Sequence, residues 1–157
     1  MAVFQAGCQP GEPVSRTTVA GATLDVNLQR HYDLARDEAR GGHTLARHVG
    51  RSDEDLRDRL RREHVSAAST YTDRVTAERV VAAALAGNRV RVDAWLGRDG
   101  GRPNLVLDYR GEGGAPIGRS LRRGERRAVP CTDALVVLRW DGGRAFYVLT
   151  TYPEASR

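Results

Sequence analysis

The sequence predicts an α+β fold in which N-terminal helices are followed by an antiparallel β-sheet. Before residue 100, apolar residues recur at helical spacing among charged ones. After Gly100-Gly101 they recur in short, strand-like runs separated by turn residues. Because helices and strands are segregated along the chain rather than alternating, we expect an antiparallel sheet instead of βαβ units.

The helical part shows recognisable helix ends. Ser52 and Asp55 have the spacing of a capping box. Gly87 is expected to end the clearest apolar helical pattern. Val90 and Val92 alternate as in a strand, but their neighbours favour a helix. The predicted helices are Asp25 to Gly41-Gly42, a short turn from Thr44, then 53–63, 72–87 and 89–96.

The β part is predicted to contain four strands. The last two are joined at Asp141-Gly142-Gly143 as a hairpin. The predicted strands are NLVLDY at 104–109, IGRSL at 117–121, ALVVLRW at 134–140 and AFYVLTTY at 145–152. Alternation in the last strand predicts one shared face for Phe146, Val148, Thr150 and Tyr152.

The length of 157 residues fits one domain, which we assign to residues 23–157. Residues 1–22 are rich in small and turn-forming residues and are expected to form a flexible tail or linker. No apolar run is long enough for a membrane span. Cys8 and Cys131 support neither a disulfide framework nor a zinc site. Ala6-Gly7-Cys8 is more typical of an ordinary tail than of a trimmed lipoprotein cleavage site.

All 25 basic residues are arginine, and the formal net charge is +5. Guanidinium groups are permanently charged and bind phosphate oxygens in pairs, so the composition predicts a polyanionic partner such as a nucleic acid. The densest basic stretch is 110–127, in which Arg119, Arg122 and Arg123 are candidate substrate-binding residues. A solvated basic loop is the alternative.

Two residues of the helical part are candidates for catalysis. His48 is a candidate general base, because an imidazole accepts a proton near neutral pH, and a buried structural histidine is the alternative. Arg59 borders the apolar stripe of Leu56 and Leu60, so its guanidinium would be held in place; a salt bridge at the core edge is the alternative. His43 is a further candidate for substrate binding.

The last strand supplies two more candidates, Thr150 and Tyr152, whose hydroxyl groups can donate hydrogen bonds into one pocket. Both residue types are also common strand formers. No P-loop, HExxH, paired-cysteine or GxSxG motif is present, and the carboxylates are scattered among arginines. Metal-dependent nuclease chemistry is therefore disfavoured, and no cofactor or metal is predicted.

The series GGHTLARHVG, the helix with Arg59, ASTYTDRVTAERVVAAAL and AFYVLTTYPEA resembles the bacterial ribonuclease-A-like toxin domain. This domain is the C-terminal part of contact-dependent inhibition and other polymorphic toxins. The resemblance covers about residue 25 to the end. It implies a ribonuclease-A-like fold and metal-independent cleavage of RNA, with an active site formed by His48, Arg59, Thr150 and Tyr152.

The resemblance also implies a biological role. The chain would be a secreted toxin, delivered into the cytoplasm of a competing bacterium, that cleaves RNA by transphosphorylation to 2′,3′-cyclic phosphate. A cognate immunity protein would cover the basic cleft, and we expect the toxin itself to be a monomer. The chain lacks the disulfides, catalytic lysine and last-strand histidine of vertebrate ribonuclease A. The general acid is therefore not identified, with Tyr152 and His43 as candidates. A noncatalytic RNA-binding or protein-binding module on the same fold is the alternative, and a metal-dependent DNase ranks last.

Overall fold

The computed structural model describes residues 32–111 and 114–155. The predicted tail at 1–22, which includes Cys8, and the part of the first predicted helix that precedes Tyr32 lie outside these residues. The helices are α1 (Leu34–Glu38), α2 (Thr44–His48), α3 (Asp53–Arg62), α4 (Arg74–Gly87) and α5 (Arg89–Leu96). The strands are β1 (Ala67–Tyr71), β2 (Leu105–Tyr109), β3 (Gly118–Arg122), β4 (Val129–Cys131), β5 (Asp133–Trp140) and β6 (Phe146–Glu154). Within the described part, no helix has the length and apolar character needed to cross a bilayer.

The strands form two antiparallel three-stranded sheets, in the orders β1-β3-β4 and β2-β5-β6. The predicted α+β class with antiparallel pairing is confirmed. Two strands, β1 and β4, were not predicted from the sequence. Strand β1 interrupts the helical part, since it lies between α3 and α4 and pairs with β3 much later in the chain. Its sequence AASTY has no apolar alternation, and four of its five residues are buried.

Helix α3 begins at the predicted capping box. The Ser52 hydroxyl accepts a hydrogen bond from the Asp55 N–H at 3.1 Å, and the Asp55 carboxylate accepts one from the Ser52 N–H at 2.8 Å. Leu56 and Leu60 are buried and pack on one face of the β1-β3 pair. Arg59, which lies between them on the helix surface, is therefore held at the edge of this small core. The larger core lies between α4, α5 and the β2-β5-β6 sheet.

Strand β6 contains a bulge at Leu149. Val148 and Thr150 pair with adjacent residues of β5, so Leu149 has no counterpart. The extra residue changes the alternation: Val148 and Thr151 face the core, whereas Thr150 and Tyr152 share the opposite face. The prediction that Phe146, Val148, Thr150 and Tyr152 share a single face is therefore wrong, because the bulge lies between Val148 and Thr150.

The segment before α2 docks on β6 next to this bulge. The His43 N–H donates to the Leu149 carbonyl at 3.0 Å, and the Thr151 N–H donates to the Thr44 hydroxyl at 2.9 Å. Gly42 is required here, because a Cβ at this position would lie 2.7 Å from the Val148 carbonyl oxygen. These contacts fix α2, and with it His48, against the strand that carries Thr150 and Tyr152.

The Thr151 hydroxyl also connects three strands. It donates to the Leu135 carbonyl of β5 at 2.8 Å and lies 2.6 Å from the Tyr71 hydroxyl of β1. Because a threonine hydroxyl has a single proton, Tyr71 is the donor in the second bond. Thr151 therefore joins the two sheets beneath the strand face that carries Thr150 and Tyr152.

We expect Thr151→Val to lower the free energy of unfolding by about 1–3 kcal/mol, because it leaves the buried Tyr71 hydroxyl without its partner and removes the hydrogen bond to the Leu135 carbonyl. Thr150→Val is the matched control, since the Thr150 hydroxyl is buried but has no hydrogen-bond partner among the described residues. Urea unfolding of both variants measures the difference. Equal losses of stability would contradict this role of Thr151.

Candidate active site

A cavity of about 770 Å³ lies where α2, α3, β1, β3 and β6 meet. It is lined by residues from widely separated parts of the chain. Six of the eight site residues predicted from the sequence line it, namely His43, His48, Arg59, Arg122, Thr150 and Tyr152. This convergence makes the cavity the candidate active site.

The other two predicted residues, Arg119 and Arg123, do not line the cavity. Arg119 precedes Ser120 in β3, so its side chain leaves the opposite face of the strand, where it donates to the Asp53 carboxylate at 2.6 Å. Arg123 follows the end of β3 and donates to backbone carbonyls of the α3–β1 connection at 2.6 and 3.1 Å. Of the arginines in the basic stretch at 110–127, Arg122 is the one that lines the cavity in the described part of the chain.

His48 is the last residue of α2 and is only 5% exposed. Its Nδ1 lies 3.1 Å from the backbone carbonyl of Ser69 in β1. Since a carbonyl only accepts hydrogen bonds, Nδ1 carries the ring proton and Nε2 carries a lone pair that can accept a hydrogen bond or a proton. Nε2 lies 3.4 Å from Nη1 of Arg59. The structure thus presents an unprotonated imidazole nitrogen beside a guanidinium.

Burial, and after it the positive charge of Arg59, lowers the pKa of His48 to about 4. The hydrogen bond to Ser69 opposes this effect. His48 is therefore neutral at pH 7 and able to accept a proton.

Arg59 is oriented by a carboxylate that the sequence analysis did not single out. Its Nε donates to Glu63 Oε2 at 3.0 Å, one helical turn further on, which directs Nη1 toward His48. This hydrogen bond holds the pKa of Glu63 below its usual range, so the carboxylate stays charged. Only 17% of the Arg59 side chain is exposed, so the guanidinium is confined to this position. Arg47 also lies 3.8 Å from the same carboxylate.

The two β6 residues complete the cluster. The Tyr152 ring centroid lies 5.5 Å from that of His48, with an angle of 32° between the rings. Burial, followed by the charge of Glu154, raises the pKa of Tyr152, so the phenol keeps its proton. The Thr150 hydroxyl is buried and has no hydrogen-bond partner in the described part of the chain. Both groups can therefore donate hydrogen bonds to a ligand.

Two further histidines line the cavity. Burial, and secondarily the charge of Arg47, lowers the pKa of His43, which leaves its imidazole neutral at pH 7. His64 is exposed at the rim and was not predicted as a site residue. The clustering of histidine was the available signal, because three of the four histidines of the chain fall between residues 43 and 64.

Over residues 32–111 and 114–155, no three His, Cys, Asp or Glu side chains are grouped in a way that could hold a metal ion. The residues around the cavity are instead an imidazole base, a guanidinium and two hydroxyl donors. These groups match the needs of a phosphoryl-transfer reaction, in which a proton is removed and negative charge develops on oxygen.

An antiparallel α+β fold with these groups around one cleft defines a ribonuclease-A-like domain. The model of the family "Bacterial CdiA-CT RNAse A domain" matches residues 42–153, and the chain belongs to this family of toxin domains of contact-dependent inhibition. The predicted resemblance is thereby confirmed.

A solved structure agrees with this assignment. The chain is similar to a protein in the crystal structure of a CdiA-CT/CdiI complex from Y. kristensenii 33638, with 34% sequence identity and a TM-score of 0.64. The match covers 72% of this chain and 99% of that one. No curated protein matches the chain.

We expect the His48 imidazole to titrate near pH 4, and Arg59→Ala to raise its pKa because a neighbouring positive charge is removed. NMR titration of the histidine ring resonances measures both values. Arg62→Ala, which removes an exposed guanidinium from the same helix, is the control and should leave the pKa unchanged. A pKa near 4 in both variants would show that Arg59 has no electrostatic influence on His48.

Proposed function

We propose that this domain is a metal-independent endoribonuclease that cleaves RNA by transphosphorylation. The products would be a 2′,3′-cyclic phosphate and a free 5′-hydroxyl. The main support is the pair formed by His48 and Arg59, in which an unprotonated Nε2 lies 3.4 Å from a guanidinium nitrogen inside a cavity.

In the proposed reaction, RNA supplies its own nucleophile, the 2′-hydroxyl next to the scissile phosphate. His48 Nε2 takes the proton of this hydroxyl as the 2′ oxygen forms its bond to phosphorus. The bond from phosphorus to the 5′ oxygen then breaks. Arg59 stabilises the negative charge that develops on the non-bridging oxygens, because its guanidinium is fixed before the substrate arrives. No metal-bound water is needed for this sequence of steps.

The leaving 5′ oxygen requires a proton or a hydrogen bond. Tyr152 is favoured for this role because its raised pKa keeps the phenol protonated, whereas the lowered pKa of His43 leaves that imidazole without an acidic proton. Thr150 would bind a phosphate oxygen or the base through its unpaired hydroxyl. His43 and Arg122 line the cavity and would contact the substrate on either side of the reacting phosphate.

Membership of this family supports a biological role. We propose that the domain acts as a monomer after secretion or delivery into the cytoplasm of a competing bacterium, where it degrades RNA. The similar protein was crystallised with CdiI, which supports a cognate immunity protein as the partner of this chain. A net charge of +5 fits an acidic partner surface placed over the cleft.

The test is incubation of the purified protein with total RNA in the presence of EDTA. We expect fragments with cyclic phosphate ends, and a loss of about 10²- to 10⁴-fold in rate for His48→Ala, as is usual when a general base is removed. Circular dichroism establishes that the variant is folded. Cleavage that stops with EDTA would favour the metal-dependent nuclease, and RNA that is bound but not cut would favour a noncatalytic module.

We expect Glu63→Gln to lower kcat/KM about 10-fold, because Arg59 loses the charged acceptor that orients it. The same variant should move the acidic limb of the pH–rate profile to higher pH. A guanidinium that is no longer held beside Nε2 lowers the pKa of His48 less. Glu54→Gln, an exposed residue on the same helix, is the control. A reduced rate with an unchanged pH profile would contradict a positioning role for Glu63.

A further inference from the structure

Helix α2, which carries His48 at its end, is not capped by its own residues. It has only five residues, and within the described part of the chain the side chain of His43 at its N-cap position forms no capping hydrogen bond. The hydroxyl of Thr44 is engaged elsewhere, because it accepts the Thr151 N–H. A helix of this length is unstable alone, and the N–H groups of its first turn have no acceptor inside it. The helical conformation of α2 therefore depends on groups outside the helix.

Glu38, the last residue of α1, provides the missing acceptor. Its Oε1 accepts hydrogen bonds from the Leu45 N–H at 2.7 Å and from the Ala46 N–H at 3.3 Å. These are the second and third residues of α2, and their N–H groups are the ones that an N-cap side chain normally binds. A carboxylate is favourable at this place, because the exposed N–H groups of a helix start attract negative charge. A side chain of α1 thus caps α2.

Helix α1 is itself fixed, so the Glu38 carboxylate has a defined place. Leu34 is fully buried in the larger core, and its N–H donates to Glu78 Oε1 of α4 at 3.1 Å. The buried carboxylate of Asp37 accepts the Val148 N–H of β6 at 3.1 Å. Because α1 is bound both to α4 and to the strand that carries Thr150 and Tyr152, it holds Glu38 at the start of α2.

His48 is held at the other end of α2. Its Nδ1 donates to the Ser69 carbonyl at 3.1 Å, and the next residue of the chain pairs with β1. The imidazole is therefore held by β1 on one side and by the helical turn that Glu38 caps on the other. If that turn loosens, the backbone of His48 moves and Nε2 leaves its place 3.4 Å from Arg59.

We infer that Glu38 is a positioning residue of the active site, which acts through α2 to keep His48 beside Arg59. The inference rests on the proposed function, which makes His48 the general base. Glu38 acts from outside the described cavity lining, so it would not contact the substrate. Helix α1 also precedes residues 42–153, which match the family model, so this support for the base comes from outside the matched region.

The experiment compares Glu38→Ala, which removes the acceptor, with Glu38→Gln, whose amide oxygen can still accept both hydrogen bonds. Glu38→Ala should lower kcat for RNA cleavage about 2- to 10-fold with an unchanged KM, as expected for the loss of a helix cap. In an NMR titration, it should raise the pKa of His48 above the value of about 4, because the imidazole becomes less buried. Glu38→Gln should restore most of kcat and keep the pKa of His48 near 4. It should still lower the pKa of His43, because the charge of Glu38 raises that pKa.

Asp73→Ala is the matched control. The Asp73 carboxylate accepts the Thr76 N–H at 2.7 Å and so caps α4 instead of a helix of the active site. The control should lower the unfolding temperature about as much as Glu38→Ala does, but leave kcat and the pKa of His48 unchanged. Circular dichroism and thermal unfolding establish that each variant is folded.

The inference is overturned if Glu38→Ala changes kcat and the pKa of His48 no more than Asp73→Ala does, or if Glu38→Gln is as impaired as Glu38→Ala. A failure of the proposed function is distinguishable, because the wild type would then cleave no RNA. In that case the NMR titration decides alone. A pKa of His48 that rises in Glu38→Ala but not in Glu38→Gln supports the positioning role, and a pKa that stays near 4 in both variants excludes it.

Discussion

His48 reaches from α2 to the backbone of β1, where Nδ1 donates its proton to the carbonyl of Ser69. The other groups of the site are arranged around the nitrogen that this bond leaves unprotonated. Arg59 lies 3.4 Å from it, and the Tyr152 ring packs against the same imidazole. Because a backbone carbonyl cannot donate, the tautomer does not depend on pH or on a second titratable group. A helix end and a strand edge thereby determine which nitrogen of the histidine is left unprotonated.

Burying a base next to a cation has a cost and a benefit. Burial and Arg59 both weaken His48 as a base, so its pKa of about 4 lies well below neutrality. The same effects guarantee that the imidazole is neutral and available before the substrate arrives. In the proposed reaction, a phosphodiester beside Arg59 brings a negative charge that offsets the guanidinium and raises the basicity of His48. The base would become stronger only when there is a proton to remove.

Local sequence patterns were sufficient for much of the fold. The capping box at Ser52 and Asp55 located α3, and the apolar stripe of that helix placed Arg59 at the core edge. Strand β1 could not be predicted in this way, because small and polar residues become a strand there only by pairing with distant β3. The site shows the same limit. Alternation along β3 places Arg119 and Arg122 on opposite faces, but only the pairing of β3 shows which of these faces lines the cavity. The orientation of Arg59 by Glu63 depends on side-chain geometry, which the sequence does not specify. His48, Arg59, Thr150 and Tyr152 were chosen together because an ordered series of motifs resembles a known family, since one arginine among 25 or one strand threonine carries little signal by itself.

The bulge at Leu149 has a consequence for how the two halves of the chain are joined. In a regular strand, each backbone carbonyl is either paired with a neighbouring strand or directed to solvent at an edge. An inserted residue interrupts the ladder and leaves a peptide group available for a different partner. Here the Leu149 carbonyl accepts a hydrogen bond from the N–H of His43, immediately before α2. A strand without the irregularity would place Thr150 and Tyr152 on the same face as Val148, and it would offer no backbone acceptor for the helix that carries the imidazole.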